Sequence, residues 1–302
     1  MNGVYLAPVS FGLGDLVVSL PVLQALIAQS QPTGTETWLV ARSHAQAQLA
    51  ERIRGLAGCV QDDGWDRDQH PGRFVDLRDH PLQREHWWGS PEFEQAFGAL
   101  SINDILRRIG ADFGIDADFA APVPLVAHPR PDLASSVLFV IDTDGPSKQW
   151  PAARWGALAA AVRELGSDVR IVTRDHGAHD LRAFGIDQTC APTLGDAVDV
   201  LSAARAVVGI DTGLTHLAVQ QGTPTVTICR APAVYFRAWP HTRLVAGGSC
   251  DDVCTAVEHE YAYNARVDLR GFEWRPRPCP VAGRCLDPVQ PGHVLAALEE
   301  LL

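Results

Sequence analysis

Lysine and methionine are nearly missing from this chain, and no stretch gathers basic residues into a stripe. With a formal net charge of −11 at pH 7, that absence excludes nucleic acid as a partner and makes an anionic membrane surface repulsive. Long apolar runs are lacking as well. None is read as approaching a bilayer span, and the opening MNGVYLAPVSFGLGD has neither the basic flank nor the cleavage pattern of a signal peptide. The expected location is the cytoplasm, without integral membrane association. Cysteine lacks a framework: Cys59, Cys190, Cys229, Cys250, Cys254, Cys279 and Cys285 are odd in number and irregular in spacing, which argues against a disulfide scaffold in a chain of this length. The last four could gather a zinc ion, but C-x3-C followed by C-x5-C matches no standard zinc module, so no metal is expected.

What is present is an alternation of short apolar runs with amphipathic stretches. A length of 302 residues suits about two domains. The clearest unit is Ala206 to Cys229, AVVGIDTGLTHLAVQQGTPTVTIC, which reads as strand, polar turn, short helix, turn and strand. Ala206 to Ile210 and Thr225 to Ile228 are runs of the kind a parallel sheet buries on both faces. Between them Asp211-Thr212-Gly213 offers capping oxygens where a helix begins at about Leu214, and Gly222-Thr223-Pro224 ends it. A helix start at the carboxyl end of a parallel strand presents N–H groups and a positive dipole end to the ligand crevice, a seat for phosphate. The same turn is also a plain N-cap, and most such caps bind nothing. His216 tips the comparison, because a titratable ring at the start of an otherwise apolar helix costs desolvation energy unless something pairs with it.

The first half opens on a strand at Val4 to Val9, then Ser10-Phe11-Gly12-Leu13-Gly14-Asp15 and a helix kinked at Pro21. Gly12 and Gly14 are expected to permit positive φ and close backbone approach, with Asp15 at or near the N-cap. Strands follow at Thr37 to Ala41, near Val60 and at Phe74 to Leu77, with helices over Ala45 to Ile53 and Ser101 to Ile109. Trp87 and Trp88, in a loop rich in His and Pro, could stack on a sugar or wedge against the domain surface. Prolines cluster from Pro122 to Pro131, which places a boundary near residue 130 and gives domains 1–130 and 131–302. The second half repeats the logic: a strand at Val137 to Ile141, the polar turn DTDGPSKQW, a helix from Ala152 to Leu165, a strand at Val169 to Thr173 and a helix from about Leu181. An apolar stretch from Leu194 to Ala203 has Asp196 and Asp199 on its polar face, Leu244 to Ala246 is a last strand, and Pro291 to Leu302 a terminal helix. Trp150 and Trp155 read as core residues that dock a helix.

Four motifs then carry a resemblance. Gly12-Leu13-Gly14-Asp15 with Pro21, Ser147-Lys148-Gln149-Trp150-Pro151 with Arg154-Trp155, Gly209 to Ala218 and Cys285-Leu286-Asp287-Pro288-Val289 occur in order across nearly the whole chain. Together they resemble glycosyltransferase family 9, the ADP-heptose:lipopolysaccharide heptosyltransferases. The resemblance implies an α/β GT-B fold of two Rossmann-like domains facing across a cleft. It also implies a nucleotide-sugar donor held by the C-terminal half, an acceptor served by the N-terminal half, inversion at the anomeric carbon and no cofactor or obligatory metal. It makes Asp15 the general base toward the acceptor hydroxyl, with Gly12, Leu13 and Gly14 as its acceptor-side or phosphate loop. Asp211, Thr212, Gly213, Leu214 and His216 fall to the donor diphosphate, Lys148 offsets its charge, and Asp180 stands roughly where the family has a nucleoside-contacting glutamate.

The chemistry is reasonable in itself: a nucleoside diphosphate leaves with developing charge that prearranged donors and a cation can meet. A carboxylate can act as base once closure excludes water. The chain is short for the family and lacks the basic surface expected of an enzyme meeting lipid-linked glycans, so the acceptor is either a lipopolysaccharide-core-like glycan or a soluble natural-product scaffold. Rival readings are an NDP-sugar epimerase on the same frame and a nucleotide-sugar-binding protein without chemistry. A dehydrogenase is disfavoured because the first turn lacks the third glycine of a dinucleotide fingerprint.

Overall fold

A computed structural model describes residues 3–66, 68–77, 80, 100–143, 148–174, 185–231, 233, 235–249 and 284–302. They fall into two units, the first within Met1–Val126 and the second from Ala127 onward. Among the described residues the first unit holds strands β1 (Gly3–Ala7), β2 (Thr37–Ala41), β3 (Gly58–Gln61) and β4 (Gly72–Asp76). Its helices are α1 (Leu13–Ser30), α2 (His44–Leu49) and α3 (Ile102–Asp112). The strands form one parallel sheet in the order β3-β2-β1-β4.

The second unit holds β5 (Ser136–Val140), α4 (Ala152–Glu164), β6 (Asp168–Thr173), β7 (Asp187–Cys190), α5 (Leu194–Ala203), β8 (Ala206–Ile210), α6 (Gly213–Gln220), β9 (Thr225–Ala231), β10 (Thr242–Ser249) and α7 (Pro291–Glu299). Its six strands are parallel in the order β7-β6-β5-β8-β9-β10. Counted from the first strand of the unit this is 3-2-1-4-5-6, the doubly wound order, and strand order reverses between β5 and β8. The central strands are apolar along their whole length because both faces are covered: β5 and β8 are buried at every residue.

Several expectations change on the structure. α1 runs unbroken for 18 residues through Pro21, where the sequence suggested an interruption. Leu16, Val17, Leu20, Leu23 and Ile27 are at most 1% exposed, so packing of this face holds the helix across the missing proline N–H. With the turn that follows, Leu13–Thr33 is long and apolar enough to cross a membrane by length and composition, contrary to the expectation of no such run. It is a core helix, with 61% of the stretch buried. Asp199 is also not on a solvated face. It is 8% exposed, accepts from the His128 backbone N–H at 2.7 Å and pairs with His128 Nδ1 at 3.2 Å, so α5 holds the first residues of the second unit. β7 was not foreseen, since Asp187-Gln188-Thr189-Cys190 has no apolar alternation of its own. Asp180, Trp87, Trp88, Cys250, Cys254 and Cys279 lie outside the described residues.

The second core is built around two tryptophans. Trp155 is 2% exposed and its ring lies 5.0 Å from Phe139 and 4.9 Å from Trp150, the latter edge-on. Trp150 Nε1 donates to the Val289 carbonyl at 3.1 Å, and Arg154 Nη1 donates to the carbonyls of Leu286 and Val289 at 2.9 Å each. The second and fourth motifs therefore interlock: the turn carrying Lys148 is fastened to the segment ahead of α7. At Gly209 the strand lies so close to α6 that a Cβ would stand 2.1 Å from Thr215 Oγ1, which donates to the Ile210 carbonyl at 2.6 Å. Gly209→Ala is expected to destabilise the protein by about 1–3 kcal/mol through overpacking, read as a lower midpoint in urea at unchanged slope.

Candidate functional site

The turn after β8 sits where strand order reverses, next to the carboxyl end of β5, the place where doubly wound sheets bind ligands. Thr212 is the N-cap of α6, and its hydroxyl oxygen accepts from the Leu214 N–H at 3.3 Å. The His216 N–H makes the first helical bond, to the Thr212 carbonyl at 3.0 Å, so the Gly213 and Thr215 N–H groups have no acceptor within the helix. Thr212, Gly213 and Leu214 are half-buried, as a binding turn requires.

Asp211, one residue ahead of the cap, is the centre of the site. Lys148, the only lysine in the chain, donates from Nζ to Asp211 Oδ2 at 2.8 Å and to the Asp211 carbonyl at 3.2 Å. His216 Nε2 donates to Asp211 Oδ1 at 3.0 Å. Burial alone would raise the Asp211 carboxyl, but the Lys148 ammonium, then the hydrogen bond and charge of His216, outweigh it and hold the group far below the ordinary carboxylate range. The side chains of Asp211, Lys148 and His216 are 18%, 31% and 8% exposed. Lys148 thus keeps an open side, whereas Asp211 has both oxygens engaged within its own unit. The ring of His216 has its Nε2 on Asp211, which supplies the partner its burial demanded. Behind the site, burial and then the charge of Asp211 push the Cys229 thiol well up, so it stays protonated at neutral pH.

The first unit presents its own turn at the matching place, after β1 and ahead of α1. Gly12 is the N-cap and Asp15 the third helical residue, whose Oδ2 accepts from the Gly12 N–H at 3.0 Å. Gly12 has φ −68° and Gly14 lies within α1, so neither uses the positive φ that was expected. A Cβ at Gly12 would stand 2.6 Å from Asp15 Oδ2, so a side chain there would displace that carboxylate. Two residues that sequence reasoning missed hold this turn. Gln46, fully buried on α2, donates from Nε2 to the carbonyls of Ser10 and Gly12 at 2.8 and 2.9 Å. Arg42, with a side chain 1% exposed, donates from Nε to the Pro8 carbonyl at 3.0 Å and pairs with Asp62 and Asp76. Their signal in the sequence was slight: a charged residue and an amide directly after an apolar strand.

Within the second unit the structure brings Lys148, Asp211, Thr212, Gly213, Leu214 and His216 together. Gly12, Leu13, Gly14 and Asp15 form a separate turn on the first. Among the described residues no group of three or more His, Cys, Asp or Glu could hold a metal ion.

Residues 116–245 match the sequence model of glycosyltransferase family 9 (heptosyltransferase). Lipopolysaccharide heptosyltransferase 1 of Pseudomonas aeruginosa is 31% identical over 149 residues, which cover 47% of this chain and 40% of that protein. The chain is therefore matched to less than half the length of this curated relative. Among solved structures, a family 9 glycosyltransferase of Veillonella parvula superposes with TM-score 0.66 at 13% identity, covering 99% of this chain and 97% of that one. Escherichia coli heptosyltransferase WaaC, solved with ADP-2-deoxy-2-fluoro heptose, gives TM-score 0.59 at 13% identity over 85% and 98% of the two chains. The iron-containing dodecameric glycosyltransferase TibC of enterotoxigenic E. coli gives 0.66 at 20% identity over 99% and 76%. The fold class is GT-B, two parallel-sheet α/β domains.

Because the folded Asp211 carboxyl titrates below its unfolded value, its contribution to stability is complete above about pH 4 and is lost as pH falls below that toward the folded value. Asp211→Asn is expected to be less stable than the parent at pH 7, with the gap narrowing below about pH 4. Parallel urea denaturations at pH 7 and pH 3 check this.

Proposed function

We propose that this chain, which carries a glycosyltransferase family 9 domain over residues 116–245, is an inverting glycosyltransferase that moves a heptose or related sugar from a nucleoside-diphosphate sugar to an acceptor hydroxyl. The observation that carries the reading is the convergence of Lys148, Asp211 and His216 on the N-terminus of α6, at the carboxyl edge of the sheet where strand order reverses. In this reading the diphosphate takes the N–H groups of Gly213 and its neighbours and the open side of Lys148. Asp211 does not touch the donor; it fixes the ammonium and the imidazole. As the sugar–phosphate bond breaks, charge grows on the leaving oxygen and meets donors already in place, so little reorganisation is required.

Asp15 is the general base, taking the acceptor hydroxyl proton while the oxygen attacks the anomeric carbon. Its bond to the Gly12 N–H fixes the orientation of the carboxylate at the start of α1. An ADP-linked heptose is the favoured donor, since WaaC was solved with an ADP-heptose analogue and TibC with ADP-D-beta-D-heptose. The acceptor is a glycan or small-molecule hydroxyl. A resident metal has no step in this scheme, and nucleotide-sugar donor and acceptor are its only partners.

ADP should raise the melting temperature more than GDP or UDP in a thermal-shift series, and equal or absent shifts would sink the donor assignment. Asp15→Asn keeps an oxygen for the Gly12 N–H but no base, so donor binding should persist while transfer falls by about 10²–10⁴-fold. Turnover undiminished in that variant would remove Asp15 from the mechanism.

A further inference from the structure

Burying a charge without a counter-charge is costly, and the chain between β9 and β10 does so. Arg237 is 1% exposed. Its Nη1 donates to Gln220 Oε1 and its Nη2 to the His216 carbonyl at 2.9 Å, and the guanidinium carbon lies 4.8 Å from the Trp239 ring centroid. Its Nε is buried with no hydrogen-bond partner, and among the described residues no carboxylate pairs with it. The His216 carbonyl and Gln220 Oε1 offset part of the cost, and although burial pushes the group down to about 9 it remains cationic at neutral pH. The residue facing Nη1 is Gln220, where a glutamate of the same shape would have closed an ion pair.

The charge count at the turn after β8 gives this arrangement a purpose. Lys148 is neutralised by Asp211, so the pair presents no net charge to an incoming diphosphate. Arg237 touches the backbone of His216, whose ring completes that same cluster. A cation inside the protein acts through a low dielectric and is screened by salt far less than a surface lysine.

We infer that Arg237 is a positioning residue and a buried source of positive potential for the diphosphate seat, left without a carboxylate so that its charge is not cancelled. It acts through the field at the N-terminal half of α6 and through its hold on the His216 carbonyl, not by touching the ligand. The inference rests on the reading of residues 211–216 as the donor-diphosphate seat.

The deciding variant is Gln220→Glu, which pairs the guanidinium without cutting its contacts. Calorimetric titration of the full chain with the best bound of ADP, GDP and UDP, and separately with its nucleoside, should show about tenfold weaker diphosphate binding, about 1.4 kcal/mol, with nucleoside binding within about twofold. Arg237→Met should lose diphosphate affinity in the same way, and Arg237→Lys should restore most of it. Should Arg237→Met fail to fold, Gln220→Glu alone decides. Diphosphate affinity unchanged in Gln220→Glu, or diphosphate and nucleoside lost alike, overturns the inference while the donor reading stands. Failure of the parent chain to bind any of the three diphosphates overturns the donor reading and the inference with it.

Discussion

A carboxylate at the end of a fully buried strand governs the second unit. β8 is apolar throughout because the sheet covers both its faces, and Asp211 follows it at the edge where strand order reverses. Such a group is tolerable only if cations and donors reach it from other elements. Lys148 comes from the turn ahead of α4 and His216 from the first turn and a half of α6, so two segments distant in sequence are drawn to one point. Lys148 is in turn held by its neighbour Trp150, whose indole N–H reaches Val289, with Arg154 gripping the same segment. One electrostatic requirement thus links the N-terminal turn of the unit, its central βαβ element and the residues ahead of its last helix.

The two turns at the carboxyl edges of the two sheets solve different problems with the same local geometry. Both stand at a helix start after the first or fourth strand of a doubly wound order. In the first unit the carboxylate of Asp15 faces back onto its own N-cap, close to the glycine there. In the second the carboxylate precedes the cap and is consumed by a lysine and a histidine. The first is placed by its own helix start, and the second holds a lysine from another turn and a histidine ring. That division gives Asp15 and Asp211 distinct parts in the proposed chemistry although both were read as acidic residues at glycine turns.

Much of the architecture was legible because parallel strands buried on both faces leave uninterrupted apolar runs. Val137, Ala206 and Thr225 each mark a strand that begins within one residue of its expected position. The turn residues were legible because only a few side chains cap a helix. What could not be read was the fate of polar groups whose partners lie far along the chain. Asp199 resembles a solvated helix residue until His128 is brought to it, and Gln46 resembles an exposed amide until two carbonyls of the first turn require it. β7 is a strand only because β6 offers it an edge. Pro21 stays within a helix because the buried face on either side outweighs one missing hydrogen bond.

By itself the sequence determined the alternation of strands and helices, the places where helices start, and the residue types gathered at those starts, since periodicity and capping are local properties. Tertiary structure decided which of those residues are free to act. Burial raises the cost of every unpaired charge, so contacts between residues far apart in the chain, such as Lys148 to Asp211 and Arg237 to His216, settle whether a carboxylate or a cation is spent within the protein or left for a ligand.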